Sequence, residues 1–378
     1  MTSRERMVAA LERRTPDRLP VTTHHVMPYY LDHYLGGVDA QVFFERFGLD
    51  PILWTGNPAP NCARGEYRFP ELGGHVVSDA WHISREPVPG TDSDAFRYCI
   101  ETPGGTLTAV VQHNEHTTWL LEPVVKEKSD IDILAEHMTH PVCDVEAVNR
   151  DAAAFGERGL VRGGLLCFDL FGQPGCWQDA ACLVGVERLI METFHDPEWV
   201  HALLQILKAR KLDYIRSMRG AAYDICELGG GDASSTVISP GLFREFVAPY
   251  DAELIAAAHA AGLRVVYHTC GGMMPILQDI AAMGPDAMET FTPPGMGGDT
   301  RLDEAKRRIG DRTCMIGGFD QFHFFKDCTP ERTRAEVRRC FAEAGEGGGF
   351  ILSPSDHFFD ADSACLEAYG AEARRCVY

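Results

Sequence analysis

His268 and Cys270 form a His-x-Cys pair at the end of an apolar run, Leu263–Tyr267, that follows the turn residue Gly262. Such a β-rich run predicts a buried strand, and side chains two positions apart at a strand end point to the same side. An imidazole and a thiolate side by side are ligands that suit zinc above other metals. Two ligands do not complete a site, so a core histidine beside a buried cysteine is the alternative at this point.

A catalytic zinc ion needs three protein ligands and one open position, so a third ligand would have to come from another strand end. Our first choice is Asp356 or His357, which follow the run Ile351–Ser355, and our second choice is Glu227 at the end of the predicted strand 223–228. Glu227 and His357 are also the candidates for catalytic groups. Glu227 could instead accept a backbone hydrogen bond in the glycine loop that follows, and His357 could be a surface histidine.

Four further polar residues at predicted strand ends are candidates for substrate contacts. His24 and His25 follow the first predicted strand, Asp169 ends the strand that starts at Leu160, and Asp320 follows a glycine-rich strand end. Strand ends that converge on one barrel mouth would bring these side chains near the metal ligands. Asp320 could instead pair with an arginine.

The elements that would position these residues are strands and helices in regular alternation from Leu160 onward, including predicted helices over residues 240–261, 302–309 and 330–344. The strands are short and continuously apolar, as expected when both faces are buried, and none resembles a polar edge strand. This pattern favours an α/β fold of the (β/α)8 barrel type over an open sheet, with the working groups at the carboxyl ends of the strands. We interpret residues 1–378 as one barrel domain.

An antiparallel β insertion is predicted within this barrel at about residues 62–125, where short alternating runs are broken by glycine, proline and aspartate. One of these runs, His75–Ile83, is predicted as a single strand, and Pro103-Gly104-Gly105 predicts a hairpin turn. Before the insertion, the sequence predicts a helix over residues 3–14 that is capped by Ser3, and a first strand over residues 19–23.

Composition excludes several classes of function. The 378 residues carry a formal net charge of −20, which argues against binding to nucleic acid or to an anionic membrane surface. A secretory signal and an apolar run of membrane-spanning length are both missing from the sequence. The thirteen cysteines have no framework spacing, which favours reduced thiols in a cytoplasm. Fingerprints for dinucleotides, for a serine nucleophile and for a Walker phosphate loop are also missing.

Several motifs in the second half of the chain resemble the uroporphyrinogen decarboxylase superfamily. They are Ile238-Ser239-Pro240 with Phe243, Phe246 and Pro249-Tyr250, then His268-Thr269-Cys270-Gly271-Gly272, Gly317-Gly318 and Gly349–Leu352. The resemblance covers most of the chain and implies a (β/α)8 barrel. It also implies one of two activities: decarboxylation of uroporphyrinogen without a metal, or zinc-dependent methyl transfer that involves a corrinoid protein.

The methyltransferase branch of that superfamily resembles this chain more closely. The decarboxylases carry an Arg-Gln-Ala-Gly-Arg signature after the first strand, whereas this sequence has Thr23–Tyr30 there, without arginine. The zinc motif of the methyltransferases is His-x-Cys followed by a distant cysteine, and His268 and Cys270 match its first part. In the place of the distant cysteine stands Asp356 or His357.

The resulting hypothesis is a cytoplasmic, zinc-dependent methyltransferase or demethylase. It would move a methyl group between a small O-, N- or S-methyl compound, or a thiol, and cobalamin. A separate corrinoid protein would supply the cobalamin, because this chain has no D-x-H-x-x-G signature; a homodimer is left open. Two rivals remain: a metal-free decarboxylase or lyase, and a catalytically silent barrel that binds a corrinoid complex.

Overall fold

The computed structural model describes residues 1–56, 58–68, 75–90, 94–165 and 173–378. The chain begins with helices α1 (Ser3–Leu11), α2 (Pro28–Leu35) and α3 (Ala40–Phe47), followed by strand β1 (Ile52–Trp54).

The predicted cap of α1 is wrong, because Thr2 and not Ser3 precedes the first helical turn. The hydroxyl of Thr2 accepts a hydrogen bond from the N–H of Glu5, and the carboxylate of Glu5 accepts one from the N–H of Thr2. This reciprocal arrangement satisfies two N–H groups at the helix start. Ser3 already lies within the helix, and its hydroxyl donates to Asp50.

Two antiparallel sheets form the insertion, as predicted for residues 62–125. Pro103 and Gly104 form the expected tight turn between two of its strands. The single strand predicted over residues 75–83 is divided, because Ser78 and Trp81 exchange backbone hydrogen bonds across a reversal of the chain. The strands are β2 (Asn61–Cys62), β3 (Gly65–Arg68) and β4 (His75–Val77) in one sheet, and β5 (His82–Pro87), β6 (Ala95–Thr102), β7 (Gly105–His113) and β8 (Thr118–Glu122) in the other.

After the insertion, the chain alternates between helices and parallel strands. Helices α4 (Asp130–His137) and α5 (Val145–Phe155) lead into the first of these strands. The strands are β9 (Leu160–Gly164), β10 (Ile225–Gly229), β11 (Val265–His268), β12 (Ala287–Thr290), β13 (Cys314–Phe319) and β14 (Phe350–Pro354). The helices are α6 (Cys176–Val184), α7 (Val186–His195), α8 (Pro197–Ser217), α9 (Pro240–Leu242), α10 (Ala248–Ala261), α11 (Leu277–Met283), α12 (Leu302–Ile309), α13 (Gln321–Phe324), α14 (Pro330–Ala344) and α15 (Ser363–Ala373).

The helix predicted continuously over residues 240–261 contains a π-helical segment, Phe243–Val247, between α9 and α10. Pro249 follows this segment and has no N–H to donate to the preceding turn, which favours such a local widening of the helix.

The parallel strands pair in the order β1, β9, β10, β11, β12, β13, β14, and the first predicted strand closes this sheet. Leu352 of β14 donates to the carbonyl of Pro20 and accepts from the N–H of Thr22, both at 2.9 Å. On the other side, the N–H of Asp50 donates to the carbonyl of Val21 at 2.6 Å. Residues 20–22 thus lie between β14 and the chain entering β1, which confirms the predicted (β/α)8 barrel.

Strand β11 is attached to the helix layer by a buried hydrogen bond. Its Tyr267 points away from the side of His268, and the phenol donates to Asp251 of α10 at 3.0 Å. The side chains of Tyr267 and Asp251 are both buried. None of the described helices has the length and apolar character needed to cross a membrane.

Candidate functional site

The carboxyl ends of three neighbouring strands bring four potential ligands together. His268 ends β11 and pairs in register with Glu289 of β12, while Glu227 lies on the adjacent strand β10. His24, which follows the closing segment of the barrel, lies beside them. His24, Glu227, His268 and Glu289 each present one ligand atom within 4.8 Å of the others. The barrel therefore gathers nitrogen and oxygen donors from four separate parts of the chain at one place.

Arg162 of β9 lies under this group and binds both carboxylates. Its Nη2 donates to Glu227 Oε2 at 2.6 Å and also to Glu289 Oε1, while its Nη1 donates to Glu289 Oε2 at 3.0 Å. Burial opposes the charge of the guanidinium, but the negative charges of Glu289 and Glu227 outweigh it and raise the pKa of Arg162. Arg162 is only 2% exposed, so these two carboxylates provide the pairing that a buried charge requires.

Arg162 is not among the site residues that the sequence predicts. The signal was present, because an arginine interrupts the otherwise apolar and glycine run of β9, and arginine is almost never fully buried without a partner. The missing information was the identity of the partner strands, which only the sheet order provides.

His268 is held at both ring nitrogens. Its Nδ1 lies 2.8 Å from Glu289 Oε1, and its Nε2 lies 3.0 Å from Cys270 Sγ. Burial lowers the pKa of His268, but the nearby Cys270 and Glu227 and the hydrogen bonds to Cys270 and Glu289 outweigh it and raise that pKa well above its ordinary value. A carboxylate on one nitrogen and a thiol at the other is the arrangement of a metal-binding histidine that is oriented by a carboxylate.

The imidazole of His24 offers a further neutral donor. Its Nε2 lies 3.3 Å from Glu227 Oε2 and its Nδ1 lies 3.5 Å from Glu289 Oε1. Burial lowers the pKa of His24 well below its ordinary value, and its Nε2 is buried without a hydrogen-bond partner. A buried, unpartnered imidazole nitrogen among carboxylates fits a cation, so the residues present are compatible with a bound metal.

A wall of aromatic rings, formed by His25, His357 and Trp54, adjoins the four potential ligands. The ring of His25 stacks on that of His357 with centroids 4.8 Å apart, and it lies 4.7 Å from the ring of Trp54. The ring of His24 stacks on Trp54 from another side at 5.5 Å. Burial, followed by the charge of His357, lowers the pKa of His25 to about 3, and burial also lowers the pKa of His357. The imidazoles of this wall are therefore uncharged at neutral pH.

A cavity of about 440 Å³ borders this wall. His24, His25 and Trp54 line one side of it, and Val26 and Phe44 contribute apolar surface. This volume lies within the range of sites for small organic molecules, and its lining is mainly apolar and aromatic.

Asp356 and Asp320, two further predicted site residues, are not members of the group of four. Asp356 accepts a hydrogen bond from the N–H of His357 at 2.7 Å and is not a member of that group. The carboxylate of Asp320 caps α13 by accepting from the N–H of His323, and it also contacts the ring of His323 at 2.9 Å, so its partner is a histidine and not an arginine. Asp169 lies outside the described residues. The roles of all these residues stay predictions.

Comparisons with known proteins identify relatives over part of the chain. Residues 172–358 match the family described as uroporphyrinogen decarboxylase (URO-D). Uroporphyrinogen decarboxylases of Neisseria meningitidis and Chromohalobacter salexigens are similar, with 30% and 31% identity over 165 residues. Each alignment covers 42% of this chain, and 42% and 43% of those enzymes respectively, so the chain spans less than half the length of these relatives.

A solved structure described as a methyltransferase from Methanosarcina mazei has the same fold, with a TM-score of 0.62 and 18% identity, and the alignment covers 99% of both chains. The matched segment 172–358 holds Glu227, His268, Cys270 and Glu289, which are four of the residues that converge at the barrel mouth. This segment therefore belongs to the uroporphyrinogen decarboxylase family, as the motifs around His268 predicted.

Proposed function

We propose that this protein transfers a methyl group between a small methylated compound or a thiol and a corrinoid that a separate protein carries. In this proposal His268 and Cys270 bind a zinc ion. The observation that carries it is the environment of His268, whose Nε2 lies beside Cys270 Sγ while Glu289 holds Nδ1. The Methanosarcina mazei protein of similar fold is described as a methyltransferase, which agrees with this proposal.

The third zinc ligand in this proposal is Glu227. Its carboxylate belongs to the same group of donors as His268, whereas Asp356 does not. Glu289 is engaged by the ring of His268 and so orients that ligand. A bound zinc ion would lower the pKa of a thiol or polarise the heteroatom that leaves the methyl group.

The rest of the site would bind and orient the substrate. The cavity beside His24, His25 and Trp54 has room for a molecule of one aromatic ring, such as a methoxylated aromatic. Because burial keeps these imidazoles uncharged, the wall would favour a neutral ring over a polyanion. Packing of a substrate against it would also exclude water from the transfer.

A metal-free decarboxylase is the second candidate, because the family that matches residues 172–358 and the similar Neisseria meningitidis and Chromohalobacter salexigens proteins have that activity in their names. One feature of the site speaks against it. A decarboxylase needs free cations to bind substrate carboxylates, and the guanidinium of Arg162 is already bound to Glu227 and Glu289.

Metal analysis and a transfer assay test the proposal. We expect stoichiometric zinc in the wild type and its loss in His268→Ala and Cys270→Ala. The control variants His259→Ala and Cys328→Ala change the same residue types outside the group of four and should keep it. Methyl transfer to or from free cobalamin, followed by absorbance with methoxylated aromatics, methylamines and thiols, should depend on the same two residues.

Equal zinc in the wild type and in both site variants would contradict the metal part of the proposal. Loss of carbon dioxide from a carboxylic acid substrate in the presence of a strong chelator would favour the decarboxylase instead.

A further inference from the structure

We infer that Arg162 is a positioning residue that sets the zinc affinity of the His268–Cys270 pair, because it fixes the two carboxylates that surround His268. This inference rests on the proposed function, since it concerns the same metal site. It assigns a role to a residue that neither the sequence motifs nor the family match singles out.

The hydrogen bonds of Arg162 define the orientation of both carboxylates. Two guanidinium nitrogens make three hydrogen bonds, one to Glu227 and two to Glu289. The guanidinium is planar, so the directions of these bonds are fixed relative to one another. The indole ring of Trp54 lies 4.5 Å from the guanidinium carbon and restrains the plane from another side. Neither carboxylate can rotate without breaking a charge-assisted hydrogen bond.

This constraint reaches His268 through a single shared oxygen. Glu289 Oε1 accepts from Arg162 and also lies 2.8 Å from Nδ1 of His268. An ionised carboxylate has no proton to donate, so the N–H of Nδ1 is the donor. A histidine whose Nδ1 donates to a carboxylate binds a metal through Nε2, which gives up its own proton to do so, and here Nε2 faces Cys270. Arg162 therefore determines, through Glu289, which nitrogen of His268 is available beside the thiolate.

The charge of Arg162 also fits a zinc site at this position. A zinc ion with the Cys270 thiolate and the carboxylates of Glu227 and Glu289 leaves one negative charge in excess, and the guanidinium cancels it. A buried group of charges is tolerated when its members are paired in this way.

Arg162→Lys tests the geometric part of this inference, because it keeps the charge but loses the planar fork that binds both carboxylates. We expect its zinc dissociation constant, measured by competition with a chromophoric chelator, to rise by about tenfold or more, since loss of a partner that orients a ligand typically has this effect. The matched control is Arg6→Lys. Arg6 is also buried and binds two carboxylates, Asp17 and Asp50, but it lies at the opposite end of the barrel. Its zinc affinity should stay within about twofold of the wild type.

Several outcomes would overturn the inference. A folded Arg162→Lys protein with the zinc affinity of the wild type would show that Arg162 does not position the ligands, and a higher affinity would show that it competes with the metal. Equal loss of affinity in Arg6→Lys would show a general structural effect. If Arg162→Lys does not fold, Glu289→Gln cuts the same link, and unchanged zinc affinity in that variant contradicts the inference. If the wild-type protein binds no zinc, the proposed function itself is contradicted. This outcome differs from all the results above, in which the wild type binds zinc and only the variants are compared with it.

Discussion

The stability of the protein should depend on pH through Asp251, the carboxylate that binds Tyr267 behind the strand of His268. Asp251 is buried, and burial raises its pKa from the ordinary value of 3.8 to about 6, although the hydroxyl of Tyr267 and the N–H of Cys176 donate to it. The positive charge of Lys211 lowers this pKa only in small part, and Lys211 is itself bound to Asp179 at 2.9 Å. The folded protein therefore binds this proton more tightly than the unfolded chain does.

The sign and the size of the effect follow from this difference. Between the two pKa values the folded state binds more protons, so the free energy of unfolding falls as pH rises and the loss is complete above about pH 7. The difference between the folded pKa of about 6 and the ordinary value of 3.8 corresponds to a loss of about 3 kcal/mol in the free energy of unfolding at neutral pH. About 1.4 kcal/mol of this loss is recovered when the pH is lowered from about 7.5 to about 5. Asp251→Asn is neutral at both pH values and lacks this dependence.

Denaturant unfolding of both proteins at these two pH values measures the effect, because the difference between variants cancels the titration of all other groups. We expect the stability advantage of Asp251→Asn over the wild type to shrink by about 1.4 kcal/mol at the lower pH. Tyr267→Phe removes a donor that favours the ionised carboxylate of Asp251, so it should raise the pKa of Asp251 further and enlarge the pH dependence of stability. An advantage that is the same at both pH values would refute the reasoning.

Two further predictions concern the strands that carry the site. Gly317→Ala should destabilise the protein by at least about 3 kcal/mol in denaturant unfolding, because the residue has a φ of +130° and a Cβ would lie 1.9 Å from the carbonyl oxygen of Thr290. The control is Gly284→Ala, where a Cβ meets no atom within 4 Å and the expected loss is only about 1 kcal/mol. Equal losses of stability in the two variants would contradict the prediction. Glu227→Gln should weaken zinc binding by about tenfold or more in the chelator competition. Glu253 has an exposed carboxylate that is paired with Lys208, so the control variant Glu253→Gln should leave zinc affinity unchanged. Full zinc affinity in Glu227→Gln would exclude Glu227 as a ligand.

The barrel could be predicted from sequence because its signal is local and repeated. Most residues of the buried strands form short apolar runs, and helices α12 and α14 begin and end at the residues that the pattern predicts, Leu302–Ile309 and Pro330–Ala344. The predicted strand over residues 75–83 failed for an equally local reason, since a two-residue reversal at Asp79 and Ala80 leaves the alternation of apolar residues intact.

The composition of the site could be predicted only in part. Spacing along one strand indicated that His268 and Cys270 face the same side, and the structure places their side chains in contact. Glu289 lies opposite His268 because of the register between β11 and β12. Residue spacing within one strand does not determine that register. Arg162 comes from a strand two positions away in the sheet. Strand pairings between distant parts of the chain bring the carboxylates and the guanidinium together, and a local sequence pattern does not predict these pairings.

The residues of the candidate site come from both sides of residue 172, where the family match begins. His24, Trp54 and Arg162 all precede residue 172, whereas Glu227, His268 and Glu289 lie within the matched segment. The matched segment by itself would supply these donors without the guanidinium of Arg162, which binds both carboxylates, and without the rings of His24 and Trp54. The proposed chemistry therefore depends on both halves of the barrel. Residues 172–358 joined to a different amino-terminal half would keep Glu227, His268 and Glu289 but lose the positive charge that pairs with the two carboxylates.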